Sequence, residues 1–191
     1  MREARIGRKT RETDIEVYLN LDGGDVAVET GIGFFDHMLT AFAAHGGLGL
    51  KIRARGDLEV DCHHTVEDVG IVLGQAFAQA LGDKVGIERF GAARIPMDEA
   101  LADVALDISG RPFLDYRAEM PQERIGSYDS CMTAEFFRAF AFHAGITLHA
   151  AAKYGDNAHH MTEALFKALA RALRAAVRIT GDAIPSTKGA L

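Results

Sequence analysis

Two cysteines, Cys62 and Cys131, are all the sequence has. That is too few for a disulfide framework, and neither stands in a C-x-x-C pair, so a reducing cytoplasm is the expected compartment. A basic excess is missing too: 21 Lys and Arg stand against 27 Asp and Glu, a net charge of −6. Nucleic-acid binding usually needs a basic face, so no nucleic-acid partner is expected, although a few converging cations could still hold a small anion. Long apolar runs are absent, which argues against a membrane span. The opening segment MREARIGRKTRETD is charged and has no apolar stretch of the kind a secretory signal needs.

What the sequence does have is histidine: eight copies, four of them in two adjacent pairs. The 191 residues can bury a sizeable core, and their patterning repeats. Alternating apolar residues predict strands near Ala4–Arg8, over Ile15–Leu21 and over Val26–Val28, the last two joined as a hairpin through Asp22-Gly23-Gly24. Helical spacing predicts Phe35–Ala44, stopped by Gly46-Gly47, then a strand over Leu48–Ala54 and a helix from about His64 to Leu81. The second half repeats this order, with strands over Ala92–Met97, Ala102–Ile108 and Phe113–Glu119, a helix over Ser130–Ala144, a strand over Ile146–Lys153 and a helix over Ala158–Arg178. Pro96 and Pro112 blur the strand ends.

The expected architecture is α+β, an internal duplication of two β-β-β-α-β-α halves, residues 1–88 and 89–191, packed as one globular unit. Residue matches support it. Ala41-Phe42-Ala43-Ala44-His45-Gly46-Gly47-Leu48 resembles Ala139-Phe140-Ala141-Phe142-His143-Ala144-Gly145-Ile146, and each segment leads through a strand to a His-His pair opening a helix.

The pairs carry the chemistry. His63-His64-Thr65-Val66-Glu67 and His159-His160-Met161-Thr162-Glu163 share the spacing i, i+1, i+4. Residues i and i+4 lie on one helix face, so His63 with Glu67, and His159 with Glu163, can each chelate one ion. The middle residues, His64 and His160, are rotated by roughly 100° about the axis and are free to serve a second ion. One such pair alone is commonly a surface feature; two at matching places in a duplicated fold indicate a site. Imidazole and carboxylate donors suit Mn²⁺, Fe²⁺ or Zn²⁺ in a catalytic setting. His37, polar within an apolar run, is a further candidate, and aligning His45 with His143 sets Glu135 opposite it. Between Ala134 and Phe136, Glu135 is expected to be buried and in need of a cation. Cys62, beside His63, reads as a small buried filler.

Four motifs in order, Phe35-Asp36-His37-Met38-Leu39, Asp61-Cys62-His63-His64-Thr65-Val66-Glu67-Asp68, Asn157-Ala158-His159-His160-Met161-Thr162-Glu163-Ala164 and Ile184-Pro185-Ser186-Thr187-Lys188-Gly189, resemble the imidazoleglycerol-phosphate dehydratase family over essentially the whole chain. The resemblance implies two four-stranded sheets with two helices on one face of each, a ribosomal protein S5 domain 2-like fold. It implies a homo-oligomer, a cage of 24 subunits built from trimers with manganese sites at subunit contacts. Two Mn²⁺ per active site would take His37, His64, His159 and Glu163, and His63, Glu67, Glu135 and His160. Some family members carry His where this chain has Glu135.

It further implies a small-molecule phosphate substrate contacted by Glu12, His37, His45, Arg89, Arg111, Ser186 and Lys188, the last four suiting a phosphate dianion. The implied reaction removes water from imidazole glycerol phosphate in histidine biosynthesis, with the ring as electron sink through a diazafulvene-like intermediate. Glu12 or a base in the His45 segment would move the protons, beside the metal-ligating carboxylates Glu67 and Glu163.

Overall fold

The computed structural model describes residues 2–189 and 191. Strands β1 (Glu3–Lys9) and β2 (Thr13–Asn20) pair antiparallel from Glu3↔Asn20 to Lys9↔Asp14. β4 (Gly49–Gly56) lies antiparallel to β2, and β3 (Val26–Glu29) lies parallel to β4, giving the order β1-β2-β4-β3. The second sheet reproduces it: β5 (Phe90–Met97), β6 (Ala100–Asp107), β10 (Thr147–Tyr154) and β7 (Phe113–Arg117) stand in the order β5-β6-β10-β7. The duplication read from the sequence is therefore present in strand order and direction as well.

Val26–Val28 does not form a hairpin with the preceding strand, contrary to expectation, because β4 lies between them. Gly23 and Gly24 take φ of 104° and 140°, which no two-residue primed turn uses. They carry the chain across the start of β4, where Gly49 packs so closely that a Cβ on it would meet the Gly23 carbonyl oxygen at 2.7 Å. The parallel partner then requires a crossover, which helix α1 provides.

Strands alternate cleanly. Ile15, Val17 and Leu19 of β2 are buried while Glu16 is exposed and Tyr18 half-buried, and Ala102, Val104 and Leu106 of β6 repeat the pattern. The buried faces receive the helices: α1 (Gly33–Gly46) over β3, α2 (His63–Leu81) over β1 and β2, α3 (Met132–Ala144) over β7, and α4 (Ala158–Ala176) over β5 and β6. Across the middle, α2 packs on α3 and α1 on α4, so one aromatic core, with Phe35, Phe136 and Phe166 in mutual contact and Phe140 against Phe136, serves both halves. Gly47 and Gly145, matching positions of the repeat, close α1 and α3 in the left-handed conformation at φ of 67° and 66°. Pro96 sits inside β5, tolerated because β5 is an edge strand. A short hairpin, β8 (Arg124–Ile125) with β9 (Tyr128–Asp129), is an unanticipated addition to the second half.

Candidate metal centre and active site

The pairing of α1 with α4 assembles the first cluster. Asn157 caps α4, its side chain accepting from the backbone N–H of His159 at 2.9 Å, so the helix starts where the His-His pair begins. One turn on, Glu163 is buried at 6 % exposure. Its Oε2 lies 3.2 Å from His159 Nε2 and 3.4 Å from His37 Nε2, which α1 brings across. One donor atom from each of the three falls within 4.8 Å of the others. Ligands of one divalent ion stand about 3–4 Å apart, so these residues fit a common cation. The other oxygen, Oε1, is held by Lys167 Nζ at 2.6 Å. Burial pushes the Glu163 carboxyl up, but Lys167 and His37 outweigh it and leave the group below its ordinary value.

The second motif opens α2. His63 Nε2 is 3.6 Å from Glu67 Oε2, both half-exposed. His64 turns away as its spacing predicts: Nδ1 meets Asp57 Oδ2 at 3.0 Å and Oδ1 at 3.2 Å, and Nε2 stands 3.9 Å from Glu12 Oε2. His160 does the same on α4, with Nδ1 2.7 Å from Glu99 Oε2 and Nε2 3.7 Å from Asp98. Asp57 holds the His64 pKa above its ordinary value and Glu99 does so for His160, while His160 draws Glu99 down to about 2.

Within one chain, then, His37, His159 and Glu163 meet, as do His63 and Glu67. His64, His160 and Glu135 join neither group, and among the described residues the trio of His37, His159 and Glu163 is the group of three donors able to share an ion. Glu135 departs from expectation. It is neither fully buried nor unpaired, because Arg138 one turn along α3 holds both oxygens at 2.6 and 2.7 Å. The cation it calls for comes from its own helix.

The anion-binding candidates gather elsewhere. Arg89 grips Asp107 with Nε at 2.7 Å and Nη2 at 3.1 Å, and its Nη1 donates to the Pro185 carbonyl at 2.8 Å. Arg111 reaches the same Asp107 at 3.6 Å and is itself largely exposed. The tail is thereby tied to Arg89 next to Ser186, whose hydroxyl accepts from the Lys188 N–H at 3.2 Å. His45, at the far end of α1, has its pKa lowered by partial desolvation and then by Lys167 and Arg171. Glu12 is exposed in the turn before β2.

Sequence reasoning passed over five charged groups that touch the candidate ligands. Lys167 and Arg138 were legible in principle, standing one helical turn after Glu163 and Glu135. Asp57, Asp98 and Glu99 carry no local signal; Asp57 and Glu99 arrive from loops seven and 61 positions away, with Asp98 beside Glu99.

Fold and site together define a class: a duplicated α+β protein that carries imidazole and carboxylate groups able to share a metal ion on packed helices. The comparisons make it specific. Residues 30–173 match the family model described as imidazoleglycerol-phosphate dehydratase, and the chain belongs to that family of hydro-lyases. Proteins of that name from Gluconobacter oxydans and Methanosarcina barkeri are 60 % and 58 % identical over all of this chain and 98 % and 100 % of their own lengths. The crystal structure from Staphylococcus aureus superposes with a TM-score of 0.86 at 41 % identity, covering 93 % of this chain and 99 % of that one. The Pyrococcus furiosus structure gives 0.85 at 39 %, covering 97 % and 100 %.

Proposed function

We propose that this dehydratase of histidine biosynthesis converts imidazole glycerol phosphate to imidazole acetol phosphate at a pair of Mn²⁺ ions, one held by His37, His64, His159 and Glu163 and the other by His63, Glu67, Glu135 and His160. The convergence of His37, His159 and Glu163 from two helices carries the reading. The two sets each draw on groups that lie apart in one chain, which supports completion by neighbouring subunits and, with it, a metal-joined cage of 24 built from trimers. Among the described residues no helix is long and apolar enough to cross a membrane, and the two unpaired cysteines suit a cytoplasmic enzyme.

The hydrogen to be lost sits on a carbon with no neighbouring carbonyl, so the substrate's imidazole must accept the electrons. Bound ions supply Lewis acidity that favours the imidazolate form of that ring. The chain's residues do the rest. Glu12, exposed and within 3.9 Å of His64, is placed to take or return a proton. His45, whose pKa is lowered by partial desolvation and then by Lys167 and Arg171, is the alternative base. Hydroxide loss through a diazafulvene-like form of the substrate needs an acid on the same face, which either group provides once protonated. Arg111, Ser186 and Lys188 bind the phosphate, and Arg89, anchored on Asp107, positions the tail through Pro185.

The test incubates the enzyme with imidazole glycerol phosphate and Mn²⁺, then after chelation, measuring ketone and free phosphate. Ketone that needs the metal, without phosphate release, is expected. Phosphate release would indicate a hydrolase, and ketone formed equally well after complete metal removal would refute the metal-dependent reading.

A further inference from the structure

The middle histidines of the two motifs are held in the same way by carboxylates that the motifs do not contain. Asp57, at the end of β4, receives Nδ1 of His64 at 3.0 Å. Glu99, in the β5–β6 turn, receives Nδ1 of His160 at 2.7 Å. Both residues are also held by backbone hydrogen bonds, Asp57 through its own N–H and Glu99 through its carboxylate. The Asp57 N–H donates to the Glu12 carbonyl at 3.1 Å. Glu99 Oε1 accepts from the N–H groups of Asp156 and Asn157 at 3.2 and 3.0 Å, just before α4 begins. Neither carboxylate is accounted for by the core, and each has a single imidazole partner.

We propose that Asp57 and Glu99 are positioning residues of the metal centre, each fixing one imidazole with Nδ1–H bound and the Nε2 lone pair turned outward to ligate. This rests on the reading of His64 and His160 as ligands given above. A neutral imidazole that donates from Nδ1 must leave Nε2 bare, and a carboxylate acceptor both selects that tautomer and raises the basicity of the ligating nitrogen. Among the described residues His63 and His159 have no comparable Nδ1 carboxylate; their carboxylate contacts are through Nε2 to the glutamate of their own motif.

The internal repeat sharpens the assignment. Glu12 and Glu99 occupy matching places, each immediately before the second strand of its sheet. In the second half that carboxylate is spent on holding His160. In the first half Asp57 holds His64 instead, and Glu12 stands 3.9 Å from the opposite ring nitrogen without a hydrogen bond to it. The duplication has thus diverged: one copy of the turn glutamate orients a ligand, and the other is left free at the reactive side.

The variants are Glu99→Gln and Asp57→Asn, with His160→Ala and His64→Ala as references, titrated with Mn²⁺ by calorimetry and assayed for bound manganese after dialysis. Glutamine keeps an oxygen for the Asp156 and Asn157 amides, but turns an NH₂ toward Nδ1 and so favours the wrong tautomer. Glu99→Gln should weaken one of two Mn²⁺ positions by about 10–100-fold and Asp57→Asn the other, the size typical of lost outer partners. Glu99→Asp should recover part of the loss. Wild-type affinity in Glu99→Gln, with an ion lost in His160→Ala, overturns the positioning role and leaves the ligand reading intact. Both ions retained in His160→Ala overturns the ligand reading and this inference together. Nitrogen-15 shifts of the metal-free wild type give a check independent of any variant: His64 and His160 should carry the proton on Nδ1, and the opposite tautomer contradicts the proposal.

Discussion

Cys62 and Glu135 show how local composition and actual environment part ways. Cys62 is the buried filler its neighbours suggest, its thiol pushed up chiefly by burial and its Sγ 3.8 Å from Asp129. Cys131 is exposed. A thiolate-selective reagent should therefore modify one thiol per folded chain quickly and the second only on unfolding; two fast equivalents in the native protein would contradict this burial. Glu135 lies in an apolar run and invites the inference of burial, yet α3 turns it toward Arg138. As a ligand it must exchange that guanidinium for the ion. Glu135→Ala is thus expected to empty the site of His63, Glu67 and His160 while the His37 site stays filled, and Glu135→His to restore much of the binding. Metal content and turnover measured on the same samples decide it, and two tightly bound ions in Glu135→Ala would remove Glu135 from the ligand set.

At the scale of elements, the helices were the most legible part, because a 3.6-residue apolar stripe needs no knowledge of partners. All four fall within a few residues of expectation. Strand pairing was not legible: the run Asp22-Gly23-Gly24 carries hairpin composition, but whether β3 pairs with β2 or inserts beyond β4 depends on contacts made by α1. The His-His-x-x-Glu spacing was readable for the same reason as the helices, being local. Asp57 and Glu99 were not, because only the folded loops bring them to the imidazoles. The α2–α3 crossing yields a prediction of sign. Gly74 lies mid-helix, where alanine would ordinarily gain about 1 kcal/mol of helix propensity. Here a Cβ would meet the Phe140 carbonyl oxygen at 2.7 Å and His143 Cβ at 2.9 Å. Gly74→Ala should therefore destabilise by about 1–3 kcal/mol through overpacking. Chemical denaturation of the metal-free protein gives the sign, and a stabilised variant would show that the helices can separate at no cost.

The protein surface carries charge pairs whose pH dependence follows from direction alone. Arg2 holds Asp22, Lys9 holds Asp14 and Arg94 holds Asp103 below the ordinary carboxylate value of 3.8. A depressed folded pKa contributes stability that is present above 3.8 and is lost as pH falls through the folded value. The metal-free protein should accordingly lose stability below about pH 4, and 1 M salt should flatten that loss because the pairs are solvent-exposed. An acid limb indifferent to salt would assign it to other groups.

For the whole molecule, duplication is the organising fact. Two sheets of identical strand order turn their helix-covered faces together, and the two motifs end up at the starts of α2 and α4. If each ion takes ligands from more than one subunit, the assembly depends on the metal, since chelation removes the cation that joins the ligand sets. Sedimentation in excess chelator should show smaller species, and readdition of Mn²⁺ should restore the large one; an intact cage free of metal would break the link between site and assembly.

The central claim, two ions held by two copies of one motif, is tested most directly by counting manganese in the wild type and in the single variants Glu67→Gln and Glu163→Gln. Two ions per chain in the wild type and one in each variant are expected, with turnover lost in both. Two ions retained in either variant, with activity unimpaired, would contradict it.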